Sequence, residues 1–444
     1  MIACNTQVAE GMVVKTQSET AKKAQRGTLE FLLINHPLDC PVCDQAGECE
    51  LQNFYMNYGL YEARFDEEKI KKHKAQPIGP TVMLDSERCI LCSRCVRFCD
   101  EITHTGELGI VGRGDHEEIT IYPGKELNNK YSGNVVDICP VGALTDRDFR
   151  FKCRVWYLTP TDSVCPGCSN GCNIQIHSNL SRPHHAPGER AMRLKPRENA
   201  EVNQWWICDE GRYGYKFIDQ DRILETKGGG VDRLAELIKN TPKSKISVLV
   251  STHLANEDLF AIRKLFKEKL GVENIQAVSG KIGESDDFLM KADKSPNTAG
   301  AKALEIPFGK PNENAEVLIS FGVPLENPKL IYIGTNQNAA SQKANIVIPS
   351  AVYAEKDGTF TNFKGRVQRF WKAFEPVGEA RAEWEIVNEL AEKLGIDLKF
   401  ESAEAIFDEI AKSIPAFSGM SYESLGKKGL SFRGARCPEE STPV

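Results

Sequence analysis

At 444 residues the chain is too long for one ordinary domain, and a net charge of −6 gives it no nucleic-acid footprint. Fifteen cysteines in so long a chain, several in Cys-x-x-Cys pairs, argue against the disulfide scaffold of short secreted domains and for metal. No run approaches the roughly 18 uninterrupted apolar residues of a spanning helix, and Met1 to Asn5 lacks a signal peptide's basic flank, so a reduced, cytosolic-side protein is expected.

In chain order, Thr16 and Glu19 can form a capping box, and Ala21, Ala24, Thr28, Phe31 and Leu32 recur on one face. This predicts a helix over 16–35 that delivers the chain to His36. His36, Cys40, Cys43 and Cys49 then form a first set of three thiolates and a candidate imidazole. Spacing alone leaves a cluster, a zinc ion and a capping or core histidine open. Asp66 to Lys74, rich in both charges, reads as solvated surface.

Residues 78–155 read as small, loop-rich and cluster-bound, with a strand-like piece at 118–122. Cys89, Cys92, Cys95 and then Cys99 follow the ferredoxin run, whose fourth cysteine serves a second cluster. No second triple follows, and a lone Cys139-Pro140 stands where a ferredoxin closes its first cubane. Cys89, Cys92, Cys95 and Cys139 therefore form a second set, and Cys99 is read as a non-ligand. Zinc on the same thiolates is the alternative. Gly109 to Gly114 is glycine-rich without the strand–turn–helix context of a dinucleotide loop.

Cys165, Cys168 and Cys172, closed by Cys208, form the third set, again with zinc as the alternative. His184-His185 reads as surface. Cys4, Cys153 and Cys437 join Cys99 outside the sets. Past the flexible Gly228-Gly229-Gly230 cysteine vanishes until Cys437, and the pattern alternates. Helices are expected over 231–238, 259–270 and 384–394, and strands at 246–250, 317–321 and 331–333, giving an α/β layer with a largely parallel sheet. The tail 435–444 shows no pattern and is expected to be disordered.

The run His36-Pro37-Leu38-Asp39-Cys40-Pro41-Val42-Cys43-Asp44-Gln45-Ala46-Gly47-Glu48-Cys49, with Ser132-Gly133-Asn134-Val135-Val136-Asp137-Ile138-Cys139-Pro140-Val141-Gly142-Ala143-Leu144, resembles the large iron–sulfur subunit (the G subunit) of respiratory complex I, the NADH:quinone oxidoreductase. The resemblance is close over residues 1 to roughly 215 and loose beyond. It implies one [4Fe–4S] cluster on His36, Cys40, Cys43 and Cys49 and another on Cys89, Cys92, Cys95 and Cys139. The third set resembles the cluster module heading the molybdopterin oxidoreductases, which implies a third [4Fe–4S] cluster, off the main electron route and structural in role. Cys4 resembles the last ligand of a plant-type [2Fe–2S] domain whose other ligands would lie upstream of Met1, so that cluster is expected only if the missing part is supplied. Residues 344–368 resemble the molybdopterin-oxidoreductase domain. The stretch after Gly230 is short for that enzyme and offers no cysteine to molybdenum before Cys437, although serine or aspartate could serve as a ligand, so a scaffold without molybdopterin is expected.

The expected fold is a multidomain α+β iron–sulfur region followed by a shortened molybdopterin-oxidoreductase-like α/β domain. Its parts would be a [2Fe–2S] remnant at 1–15, a helical module of one histidine and three cysteines at 16–60, a ferredoxin-like domain at 75–155, a third cluster module at 158–220, an α/β domain at 228–434 and a tail at 435–444. The resemblance implies electron relay toward quinone from a flavin-containing NADH-oxidising subunit and its [2Fe–2S] partner, by way of ferredoxin-like and quinone-proximal subunits. It implies a peripheral position on the cytoplasmic face of the inner membrane, without a span, and no general acid, base or nucleophile stands out. Two rivals are an electron-entry subunit of an NAD-linked formate dehydrogenase or hydrogenase, and a zinc-stabilised assembly protein.

Overall fold

The computed structural model describes residues 5–327 and 329–432, so Cys4, Cys437 and the 435–444 tail lie outside the described residues. The chain divides into two compact units, Met1–Trp156 and Tyr157–Val444. No described helix is long and apolar enough to cross a membrane.

The first unit opens with a helix over Glu19–Ile34, capped by Ser18 rather than Thr16: the Ser18 hydroxyl accepts the Ala21 N–H. Only Leu29 of this helix is fully buried and Phe31 is 77% exposed, so the face read from Ala21 to Leu32 is displaced. Leu29 packs with Leu51 of the helix Glu50–Tyr58 and with Val141 and Ala143 in one small core, against which Cys49, Cys89 and Cys139 lie. Residues 66–74 are mostly exposed, as expected, but lysines among them also make contacts. Lys69 Nζ donates to the carbonyls of Leu33 and Ile34 at 2.8 and 2.7 Å, satisfying the helix's open C-terminal end. Lys74 pairs with Asp39 and Glu87. Residues 76–146 form an antiparallel sheet of Gln76–Pro77, Val82–Leu84 and Leu144–Asp146, and a hairpin of Leu108–Val111 with Glu118–Ile121. The glycine-rich 109–114 stretch is part of that hairpin.

The second unit begins with an antiparallel sheet of Thr159–Val164, Asn173–Ser178 and Ala191–Pro196. The turn joining its first two strands carries Cys165, Cys168 and Cys172. A five-stranded sheet follows in the order Ile275–Val278, Ile246–Ser251, Val317–Phe321, Leu330–Gly334, Ile346–Pro349, every pairing parallel. Its central strands are buried along their length because helices cover the sheet, which is why they read as unbroken apolar runs. The helices include Gly230–Asn240, Asn256–Arg263, Glu383–Leu394 and Ala403–Ser413. Of these, Asn256–Arg263 starts earlier than expected and continues as a π-helical turn over Lys264–Lys269. Within residues 344–368, Glu355 takes both ends of the Arg222 guanidinium at 2.7 Å, and Lys356 lies between Asp258 and Glu383. These buried charges are each paired, as burial requires.

Candidate functional site

The first helix ends at Ile34, and the chain turns through a 3₁₀ segment, Cys40–Val42, so that His36 and Cys40, Cys43 and Cys49 are presented from one short stretch. Arg154 holds this turn from below, its Nη1 donating to the Cys43 carbonyl at 2.6 Å, and Asp44 accepts the Phe151 N–H at 2.9 Å. Gly47 sits at φ +91° against the Trp156 ring, where a methyl group would come within 2.8 Å. Burial, reinforced by Arg88 and Lys69, pushes the His36 pKa down to about 4, leaving the imidazole neutral at physiological pH, the form that ligates metal. Burial raises the Cys43 and Cys49 thiols, Cys40 adds to both and Cys43 to Cys49, while the Arg88 guanidinium opposes burial at Cys43.

At the second set, Leu91 and Ser93 adopt φ of 55° and 58°, a left-handed conformation unusual for such residues. These two kinks wind the chain around a cavity that Cys89, Cys92, Cys95 and Cys139 line together with Ile90 and Ile119. The Leu91 N–H points at Cys89 Sγ at 3.4 Å. Burial and the neighbouring sulfurs push Cys95 up to about 12 and Cys139 up to about 11. Thiols raised in this way, as at Cys95 and Cys139, ionise readily only when positive charge is placed among them, a demand that bound metal ions meet. Cys99, by contrast, is fully buried beside Glu107 and Asp100, and its thiol is raised to about 12 by burial and those carboxylates.

The third set is the most enclosed, with all four cysteines buried. Cys165 N–H donates to the Cys172 carbonyl at 2.8 Å, closing the turn. Cys208 caps the helix Asp209–Tyr213, its sulfur accepting the Gly211 N–H at 3.3 Å. A methyl on Gly211 would lie 3.0 Å from Cys165 Sγ and 3.5 Å from Cys208 Sγ, so the distant fourth cysteine comes back to the first. Asn170 Nδ2 donates to Cys172 Sγ at 3.1 Å. The turn is held by Asn362 Nδ2 on the Asn170 carbonyl and Gln368 Nε2 on the Gly171 carbonyl. Burial and the neighbouring thiols push Cys208 up to about 12 and Cys172 well above its usual range.

The thirteen described cysteines form no disulfide. Among the described residues, no three His, Cys, Asp or Glu side chains close on a single metal-ion position. Two contributors had no sequence signal. Arg88 pairs with Asp39 and Asp85 between the first two sets, and Asn170 contacts a sulfur. A third, Gly142, stood within a recognised motif with nothing to mark its contact with Cys43.

Comparison with known proteins adds four family matches. Residues 25–64 match the NADH-ubiquinone oxidoreductase-G iron-sulfur binding region, and 79–145 the ferredoxin-like domain of NADH-quinone oxidoreductase subunit 3. Residues 158–220 match the molybdopterin oxidoreductase Fe4S4 domain and 325–393 molybdopterin oxidoreductase. The NADH-quinone oxidoreductase G subunit of Rickettsia felis is 27% identical over 564 aligned positions, spanning 94% of this chain and 83% of the relative. That alignment exceeds the 444 residues of this chain, so the relative carries internal segments that this chain lacks. The G subunit of Streptomyces coelicolor is 44% identical over 65% of this chain and 35% of its own length. The mitochondrial NADH-ubiquinone oxidoreductase 78 kDa subunit of Neurospora crassa is 28% identical over 96% of this chain and 77% of its own. Among solved structures, a chain of an NAD+-reducing [NiFe]-hydrogenase in the H2-reduced state is 29% identical over 34% of this chain and 66% of its own, with a TM-score of 0.31.

Proposed function

The chain belongs to the G-subunit family of NADH-quinone oxidoreductase, and from that membership we propose how its residues divide the work. It is an iron–sulfur electron-transfer subunit of that enzyme and works with the other subunits of complex I. In our reading, His36, Cys40, Cys43 and Cys49 hold one [4Fe–4S] cluster, Cys89, Cys92, Cys95 and Cys139 a second, and Cys165, Cys168, Cys172 and Cys208 a third. The corresponding modules are 16–60, 75–155 and 158–220, with 228–434 as a shortened α/β scaffold that takes no molybdopterin. A bound cluster supplies one-electron storage at a potential set by its surroundings.

The observation that carries the reading is the Cys139–Gly142 loop. Cys139 lines the second cavity, the Cys49 thiol faces the Pro140 carbonyl at 3.7 Å, and Glu50 N–H donates to that same carbonyl at 3.0 Å. One turn of chain thus touches both ligand sets, and electrons crossing between them traverse bonded and closely packed protein rather than water. The chain's own residues position the sulfurs, keep His36 neutral and bury Cys43, Cys95 and the whole third set; substrate chemistry belongs to its partners. We assign those partners as the flavin-containing NADH-oxidising subunit with its [2Fe–2S] companion on one side, and ferredoxin-like, quinone-proximal subunits on the other. We place the chain peripherally, on the cytoplasmic face of the inner membrane. The third set, buried and tied into residues 362–368, is assigned a structural role.

The test is iron, sulfide, zinc and molybdenum content of anaerobically purified protein, with low-temperature EPR after dithionite reduction. About twelve irons per chain and overlapping cubane signals are expected. Zinc without a reducible signal would overturn the reading and leave the zinc-stabilised assembly protein.

A further inference from the structure

We propose that Arg88 is the positioning residue that sets the electrical balance between the first two sites: a buried, permanent positive charge that makes the first site easier to reduce. The inference rests on the assignment of a cluster to His36, Cys40, Cys43 and Cys49.

Arg88 immediately precedes Cys89, yet its side chain, only 6% exposed, turns toward the first set. Nη2 lies 3.0 Å from Asp39 Oδ2, one residue before Cys40, and Nε lies 3.4 Å from Asp85 Oδ2. Nη1 is buried and has no hydrogen-bond partner. A guanidinium presents five donors and stays charged at any physiological pH, so a buried nitrogen left unpaired costs stability unless negative charge lies near it. Gly142 shows where the side chain runs. A methyl there would be 2.3 Å from Cys43 Sγ and 3.6 Å from Arg88 Cδ, which places arginine stem and thiol against the same point of the loop.

The other charges around it are Lys74, bound to Asp39 and Glu87, and Lys69 at the end of the first helix. Asp39 therefore shares its single charge between two cations, and Arg88 keeps positive character toward Cys43. A positive charge at this place stabilises the reduced state of anything the four ligands hold. A histidine in place of a fourth thiolate acts in the same sense, by removing one negative charge. The two devices add.

The test uses the purified complex, with the first site's EPR signal assigned by its change in a His36→Cys variant and its potential measured by stepwise poising. Arg88→Gln is expected to lower that potential, leaving the reduced-to-oxidised ratio at least tenfold lower at the wild-type midpoint, a shift of about 59 mV or more for a one-electron couple. Arg88→Lys should recover most of it. Asp39→Asn removes the counter-charge and is expected to raise the potential. Loss of packing alone would not move the two variants in opposite directions. An unchanged potential, or shifts of the same sign, would overturn the proposal. Should Arg88→Gln fail to retain the site, Asp39→Asn decides alone, since no change or a downward shift there is equally fatal. Absence of a first-site signal in the wild-type protein would instead sink the ligand assignment on which the proposal rests.

Discussion

Gly142 and Cys43, 99 positions apart, approach so closely that a single added methyl on Gly142 would stand 2.3 Å from the Cys43 sulfur. Neither can move freely: Cys43 is fixed by Arg154 on its carbonyl, and Gly142 follows the Cys139-Pro140 corner. Glycine is required here by closeness of approach rather than by a left-handed backbone.

Gly142→Ala is accordingly expected to force the two ligand loops apart. Overpacking of this kind costs about 1–3 kcal/mol. Iron content and the EPR signals of both the first and second sites should fall together while the third is unaffected, which metal analysis and spectra at several temperatures would reveal. Normal occupancy of both sites would contradict the contact.

Cys95→Ala and Cys99→Ala make a matched pair, four residues apart and both buried. The first should remove the second-site signal and about four irons per chain. The second should leave iron and spectra intact and cost roughly 1 kcal/mol through the small cavity it creates. Loss of iron in Cys99→Ala would make that residue a ligand after all.

Asn170→Leu deletes the N–H that points at Cys172 Sγ while roughly keeping side-chain volume. A hydrogen bond to sulfur favours the reduced state, so the third site's potential should fall while those of the first and second stay put. Stepwise poising of the variant and the wild type is the measurement. Equal third-site potentials would reduce Asn170 to a packing residue.

Glu257 is fully buried, and burial lifts its pKa from 4.5 to about 7 against the opposing hydrogen bonds from Thr359 and Tyr422. A raised carboxyl favours the folded state below its unfolded pKa, and that contribution is lost as pH rises through about 7. The shift corresponds to roughly 3 kcal/mol. Thermal melts between pH 4 and 8 should show stability falling as pH rises from about 4.5 to about 7 and levelling above, with a flatter slope in Glu257→Gln; parallel slopes would refute the assignment.

The three cysteine groupings we propose as ligand sets stood out because cluster chemistry demands cysteines at stereotyped spacings, a signal that survives without knowledge of packing, whereas His36 entered as a ligand only through the family resemblance. The parallel sheet was legible for a related reason: strands such as Val317–Phe321 are buried on both faces and carry no polar alternation. Ile275–Val278 and Ile346–Pro349 were missed, being four residues each and apolar only in part or ending in proline. The first helix misled because its buried stripe narrows to Leu29, too little for periodicity to mark. Lys69 and Lys74 were read as solvent-facing because sequence shows charge but not the helix end and carboxylates waiting for it. Arg88 was invisible for the same reason, since its meaning lies in Asp39, Asp85 and Cys43, which only the fold brings near.

The hydrogen bonds that pin the Cys165–Cys172 turn come from far down the chain: Gln368 reaches Gly171 across 197 positions. The first set is clamped by Arg154 on Pro41, 113 positions on. During synthesis on the ribosome the two places therefore mature at different moments. The early one can be clasped as soon as residue 154 emerges, whereas the later one stays ajar until the final third of the polypeptide has been made. Any group held at the third set can therefore be enclosed only after its downstream clasp, Gln368, has been made.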